Sequence, residues 1–424
     1  MNLEWRSAML CIQLESESRT PALANFAHAE NLSSLSFLFK ELYQIQVEFF
    51  FYAFIGVDNV FVFQRKYEYK DPLNIIFLCG SHYDKKSKRD KRNILKEYIN
   101  HSIPNGCAII LEENFRFAST NRQYLSYDSI FLAGLAQIEQ LASLYANKIV
   151  IVHESISTAA ELGMFAIDPV LAHKIGVLVP DKFSIEEDKI SGFIKLAFLK
   201  HDAPENKVHV IRYYPDIEVH HFSPHKSEYY SYFHEDKVGR FLASELNAFL
   251  MDETKSKTIC FSRSRFSNPQ YDSSTIGYYI SLQNKTITVN VHIDTLKIQL
   301  LALLELELIR RQLRNEREIR EHVNFLSKTY KDIIRNTVEM LTGKDTNNFN
   351  VKIFLKGTSC SLNQAVGYFL YMLQAAKLIS LIQTCDEKPT IRKVQFSTAI
   401  SEYKQSIGDI VFESGTTEFG RLNT

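Results

Sequence analysis

Residues 149–165 read "IVIVHESISTAAELGMF", and the fold turns on how that stretch is taken. Four apolar residues and His153 run into Glu154 and Ser155. A short Ser/Thr-rich turn follows, then an apolar helix pattern whose first turn carries Glu161. A buried strand that hands over to a helix is one half of a βαβ unit. The same pattern continues outward. "NIIFLCG" is an apolar run ending in Gly80, "KRNILKEYINH" reads as a helix, and "GCAIILEENF" is a second strand. "SIFLAGLAQIEQLASLYA" is a second helix, "KIVIVHES" a third strand, "TAAELGMFAI" a third helix and "KIGVLVP" a fourth strand. Strands alternating with helices at this spacing predict a parallel sheet covered on both faces. Ligands in such sheets bind beyond the carboxyl ends of the strands, where "FLCGS", "ILEEN" and "VHESIST" lie.

At 424 residues the chain is long enough for two or three domains of the usual ~100–200 residues. Its 45% hydrophobic and 23% charged residues are the balance of an ordinary globular protein. Lys plus Arg and Asp plus Glu are equal at 49 each, so any attraction to nucleic acid or an anionic membrane must be local. The six Cys (11, 79, 107, 260, 360, 385) form no CxxC pair, which argues against a disulfide framework or zinc cluster and for a reducing cytoplasm. Cys79, ending an apolar strand, reads as a small buried residue. No signal peptide is expected, because "MNLEWRSAMLCIQLESESR" lacks a positive segment followed by an apolar stretch. Residues 37–55 are interrupted by Lys40, Glu41, Gln44, Gln46 and Glu48, so they read as a protein-facing helix and not a membrane span. His220, His221, His225 and His234 lie close together, but strand alternation sends the first two to opposite faces, and no metal is expected.

Four regions follow: a helical extension over 1–70, the α/β domain over 71–225, a helical region over 226–350 and a winged-helix-like region over 351–424. In the third, residues 296–341 are amphipathic and too long for one ordinary helix, so two are expected. Arg310, Arg311, Arg314, Arg317 and Arg320 line its polar side, with Glu316, Glu318 and Glu321 as candidate partners. In the fourth, "LNQAVGYFLYMLQAAKLISLIQ", a turn and "TIRKVQF" outline a helix followed by a hairpin. Its helix carries few basic residues beyond Lys377, though Lys388, Arg392 and Lys393 flank the turn.

Glu161 has two readings. Thr158-Ala159-Ala160-Glu161 fits the capping-box pattern, in which the Glu reaches back to the cap residue's amide. Against a mere cap stand Glu154, a second acid at the same crevice, the hydroxyls of Ser155, Ser157 and Thr158 beside a helix N-terminus, and Gly163, which would let a neighbouring backbone approach. Helix N-termini bind anions. A sugar phosphate would fit there, and an Arg or Lys of the basic run 84–92 could clamp it.

"NIIFLCG", Arg92 in "RNILKEYI", "ILEENF" and "IEQLASLYANKIVIVHESISTAAELGMF" together resemble the nucleoside deoxyribosyltransferase-like (Rossmann-like) domain. The likeness is to the version in effector proteins of bacterial retron antiphage systems, and it covers roughly residues 73–180. The chain departs from the transferases in having Ser157-Thr158-Ala159-Ala160 where they carry a Gly-Thr pair. The resemblance implies N-glycosidic chemistry. The residue matching Glu161 attacks the anomeric carbon and displaces the base, a step that negative charge assists because the transition state is oxocarbenium-like. Glu112, Glu113 and Glu139 match pocket-facing acids that would hold a ribose hydroxyl or protonate the base, and Gly80 and Ser81 would line the pocket with the groups above. The function expected is hydrolysis of a nucleotide, most plausibly NAD, by a toxic cytoplasmic effector with no cofactor and no membrane anchor. The implied partners are a retron reverse transcriptase and its RNA-linked DNA, and a homo-oligomer is expected. Base-exchanging transferase and phosphoribohydrolase are the alternative enzymes. A non-catalytic adaptor or DNA-binding regulator is the alternative of another class.

Overall fold

The computed structural model describes residues 59–69, 73–80, 83–87, 90–110, 135–153, 155–166, 169–180, 208–213, 217–220, 227–230, 233–234, 237–251, 257–385, 387–388, 390–403 and 411–415. The chain divides into two compact units, residues 1–60 with 414–424, and residues 61–413. The sequence features at 37–55 and at Cys11 lie outside the described residues.

In chain order, β1 (Asn59–Phe63) and β2 (Lys66–Tyr69) precede β3 (Asn74–Cys79), α1 (Lys91–Ser102), β4 (Gly106–Ile110), α2 (Leu135–Tyr145), β5 (Lys148–Val152), α3 (Ile156–Ala166), α4 (Pro169–Ala172), β6 (Ile175–Pro180) and β7 (His209–Tyr213). Strands β3 to β7 form one sheet in the order β4-β3-β5-β6-β7, and every neighbouring pair is parallel. This is the doubly wound order 2-1-3-4-5. All residues of β3 and β5 are buried, as expected of parallel strands covered on both faces.

Alternation along the strands sorts that burial into two layers. Ile76, Leu78, Val150, Val152 and Leu178 pack with Leu95 and Ile99 of α1, and with Leu242, Leu246, Phe249 and Leu250 further along the chain. Ile75, Phe77, Cys79, Ile149, Ile151 and Val177 pack on the other side with Leu141, Ala142 and Tyr145 of α2 and Leu162 and Phe165 of α3. Cys79 is therefore a buried core residue.

After β7 come the short strands β8 (Ile217–His220), β9 (Ser227–Tyr230), β10 (Phe233–His234) and β11 (Lys237–Val238), and then α5 (Arg240–Leu250), which supplies the second half of the first layer. His220 pairs with Ser227 in one two-stranded sheet and His234 with Lys237 in another, while His221 and His225 lie outside the described residues.

The rest of the unit includes β12 (Lys257–Arg263), β13 (Thr275–Ser281), β14 (Thr286–His292), α6 (Ile293–Leu303), α7 (Glu307–Leu313), β15 (Arg317–Glu318), α8 (Ile319–Thr342), β16 (Asn350–Lys356), α9 (Leu362–Ala375), β17 (Ile379–Gln383), β18 (Ile391–Phe396) and a 3-10 helix over Thr398–Tyr403. A second, mixed sheet runs β16-β14-β13-β12-β2, so a strand that precedes the α/β domain pairs with one that follows it. Residues 350 and 351, where the sequence pattern divides the helical region from the winged-helix-like one, both lie in β16 of that sheet. The amphipathic stretch forms three helices, α6, α7 and α8, rather than two.

The second half of the chain packs continuously onto the α/β layer. Tyr145 of α2 donates its hydroxyl to the Ala365 carbonyl of α9 at 2.6 Å, and its ring lies 5.9 Å from that of Phe369. No basic residue stands in the last turn of α2, yet its final carbonyls are met by lysines from elsewhere. Lys174 Nζ donates to Ala146 O at 3.2 Å, and Lys297 Nζ of α6 donates to Asn147 Oδ1 at 2.7 Å and Tyr145 O at 3.5 Å. Cations suit the negative end of a helix dipole. Asn147 Oδ1 also accepts from Ile75 N at 3.0 Å, which ties the same junction to the first residues of β3.

Asp294, in the first turn of α6, balances these charges, with Lys174 Nζ 3.8 Å from its carboxylate. Burial alone would raise its carboxyl, but Lys174, Lys297, His292 and Lys257 outweigh that and hold it well below the usual carboxylate range. A depressed carboxyl contributes stability that is fully present above its unfolded value, about 3.9, and is lost as pH falls through the folded value. Asp294→Asn is expected to cost on the order of 3 kcal/mol at pH 7. Urea denaturation at a series of pH values checks this, the gap from wild type holding above about pH 4 and closing below it.

Candidate active site

The connections from β3 and β5 leave in opposite directions. The one from β3 returns through α1 on one face, and the one from β5 runs through α3 on the other. The crevice of a doubly wound sheet opens at such a reversal, beyond the carboxyl ends of the two strands. Cys79 and Ile151 are register partners, so Gly80 and Val152 end the strands side by side.

Gly80 meets Arg92 there. A Cβ built on Gly80 would lie 3.0 Å from Arg92 Cδ and 3.1 Å from Nε, so the glycine makes room for the arginine side chain. Arg92 is buried, with Nε 3.5 Å from Asp90 Oδ1 and its guanidinium 5.0 Å from the centre of the Tyr83 ring. Asp90 caps α1 by accepting from Arg92 N at 2.9 Å, and its other oxygen accepts from Asp84 N at 3.0 Å. The N-terminus of α1 thus already holds a carboxylate of its own, and an incoming anion would meet Arg92 through its side chain. The basic run 84–92 is folded onto the helix by Asn93, which donates to the carbonyls of Asp84 and Ser87 and accepts from the Tyr83 hydroxyl at 2.7 Å.

At the end of β5 the reach-back bond of a capping box forms three residues earlier than the sequence pattern suggests. Helix α3 begins at Ile156, so Ser155 takes the cap position and Thr158 the place of the reach-back residue. Ser155 N donates to Thr158 Oγ1 at 3.2 Å, and that hydroxyl donates to Ser155 O at 2.7 Å. His153 Nδ1 lies 3.0 Å from the same Oγ1. A hydroxyl has one proton and two lone pairs. Its contact with the Ser155 carbonyl is the shortest of the three, which favours that carbonyl for the hydroxyl proton and Nδ1 as the donor on His153. Burial lowers the His153 pKa below the ordinary 6.5. The ring is therefore neutral at pH 7, with the lone pair on Nε2.

Glu161 stands one turn beyond Thr158. Thr158, Leu162 and Phe165 form the buried stripe of α3, and half-buried Glu161 flanks it with Oε2 shut off from solvent. Among the described residues a Cβ built on Gly163 would meet no atom within 4 Å, so none of their backbones uses the approach that the glycine was expected to allow. Ser157 lies in the first turn of α3 and Glu139 in α2. Ser81, Glu112, Glu113 and Glu154 lie outside the described residues. The structure thus brings Gly80 to Arg92, and Ser155 and Thr158 to His153. His153 escaped the sequence reading. It directly follows an apolar strand, and only its contact across the turn marks it.

The second half of the chain offers less to nucleic acid than its arginines suggest. Arg310 donates to the Leu304 carbonyl and to Glu305, the latter at 2.7 Å, and Arg314 donates to Glu307 at 2.8 Å. Both guanidiniums lie over the Phe396 ring at the end of β18. Their partners are thus Glu305 and Glu307, not Glu316, Glu318 or Glu321. A helix followed by a hairpin is present, with β15 completing an antiparallel β15-β18-β17 sheet, but α9 is buried along most of its length. Arg392 is buried too, donating to Leu381 O at 3.2 Å.

A model of the STM3845 retron effector protein family matches residues 88–399, which span α1 to the end of the β17–β18 hairpin. The chain belongs to that family. Membership of this retron effector family gives it a role in antiphage defence, in association with a retron reverse transcriptase system. No curated protein matches the chain. Among the described residues no helix is long and apolar enough to cross a membrane, and no three His, Cys, Asp or Glu gather as a metal site would require.

Replacing Thr158 by Val, equal in shape but without the hydroxyl, should cost about 1–2 kcal/mol. The check is a lowered denaturation midpoint with an unchanged slope.

Proposed function

We propose that this retron effector is an N-glycosidase that hydrolyses a nucleotide, with NAD the substrate we favour, and that Glu161 is its nucleophile. One observation carries the reading: Thr158 closes the N-terminus of α3, so the cap role that would explain Glu161 away is already filled. Side chains on a helix lean toward its N-terminus, so the carboxylate of Glu161 leans back toward the end of β5 and the crevice.

The chemistry follows from that position. A carboxylate oxygen attacks C1′ of the ribose, the C1′–N bond breaks, and the electron pair leaves with the base. A glycosyl ester on Glu161 remains, and water hydrolyses it. Arg92, buried beside Gly80, would neutralise a phosphate of the substrate. An adaptor that reads DNA through its C-terminal helix is disfavoured, since α9 has Leu362, Ala365, Val366, Phe369, Leu370 and Leu373 buried around its circumference.

Incubating the purified full chain with NAD and resolving released nicotinamide by chromatography tests the activity. Glu161→Gln should abolish base release while shifting the melting temperature little. Full activity in that variant would remove Glu161 from the chemistry. Arg92→Ala should raise KM for a nucleotide at least tenfold more than KM for the matching nucleoside. Equal effects on both would deny Arg92 the phosphate.

A further inference from the structure

We infer that His153 is the general base that activates the hydrolytic water, which commits this effector to hydrolysis of a substrate whose base leaves without being protonated. The inference rests on the glycosidase reading above and adds a residue and a substrate class to it.

The geometry comes first. His153 directly follows β5 at the reversal of the sheet, its backbone N–H donating to Leu178 O, and its Nδ1 is tied to Thr158 Oγ1 at 3.0 Å. Thr158 and Glu161 are three residues apart on α3, a spacing that puts side chains side by side, about 5–6 Å between Cβ atoms. The imidazole is thereby fixed one helical turn from the proposed nucleophile, on the side toward which that nucleophile leans. Because Nδ1 holds the proton, the ring presents Nε2 as an acceptor. Among the described residues Nε2 has no hydrogen-bond partner, and the side chain is half-buried rather than sealed, so a water can reach it. Ser155, Thr158 and the strand end hold the ring as a third group orients a catalytic base.

The protonation state then selects the chemistry. A ring that is neutral at pH 7 can take a proton but has none to give from Nε2. It cannot protonate a departing purine. It can serve a substrate whose base is already cationic, such as an N-glycosylated pyridinium, which leaves as a neutral amine once the C1′–N electron pair returns to it. In the second step the water oxygen attacks C1′, the C1′–Oε bond breaks and its electron pair returns to Glu161. The water proton goes to His153 Nε2 and then to solvent. Among the described residues no charged side chain shifts the titration of the ring, and burial alone lowers it.

His153→Asn separates this role from a structural one, because the Asn amide can still donate to Thr158 Oγ1 but has nothing in the place of Nε2. With NAD as the probe and the full chain as the enzyme, wild type should turn over steadily. His153→Asn should release about one equivalent of nicotinamide in a burst and then turn over at least about 100-fold more slowly. Azide, which attacks without giving up a proton, should restore its turnover. The acid limb of the wild-type kcat–pH profile should vanish in the variant. Undiminished steady turnover in His153→Asn with an unchanged profile would overturn the assignment of His153 while leaving the glycosidase reading intact. Wild type that releases no base would overturn that reading and this inference with it. Nitrogen NMR of the wild-type imidazole gives a readout independent of activity and of the variant's folding. The neutral Nδ1–H form is expected at pH 7, and a charged ring or the Nε2–H form would overturn the inference.

Discussion

A parallel sheet exposes no face that water can tolerate, and the second half of this chain is arranged around that constraint. One face of β3 to β7 is closed by α1 and α5. The other is closed by α2 and α3, and α2 in turn buries its outer surface on α6 and α9. The place where the layers meet is the carboxyl end of α2, whose last carbonyls lie inside the protein. They would be costly there without donors. Lys174 and Lys297 supply those donors, and Asp294 supplies the charge that makes two buried ammonium groups tolerable. The α/β domain is consequently not a catalytic body with a detachable regulator. Removing the chain beyond α5 would uncover Tyr145 and strip the charge balance from its helix end.

The same economy of partners operates at the other end of the sheet. Two residues compete for one role at the start of α3, and the hydroxyl of Thr158 wins because it lies one turn closer to the cap. Three groups share that hydroxyl, which fixes the turn, the ring of His153 and the proton on it in a single arrangement. Arg92 and Asp90 fill the corresponding position at the start of α1. One strand end is thus followed by an imidazole and its neighbour by a buried guanidinium.

Arg310 and Arg314 of the α7 end lay their guanidiniums over Phe396 of the hairpin, and the helix before the hairpin is core, so the region that follows α7 is packed into the body of the protein.

What the sequence determined by itself was local. The apolar runs "NIIFLC", "GCAII", "KIVIV" and "IGVLVP" and the helices between them are set by periodicity within a dozen residues, and they appear where the pattern puts them. The crevice at the strand ends and the proximity of Ser155 to Thr158 follow from the same short range. Tertiary structure decided what depends on distant partners. The pairing of β2 with β12, the cover that α6 and α9 give to α2, and the choice of Glu305 and Glu307 by Arg310 and Arg314 all join residues that the pattern treats as separate. His153 belongs with these. An imidazole after an apolar strand has no character that sequence can read, and only the turn that brings Thr158 to within 3.0 Å of its Nδ1 gives it a fixed place.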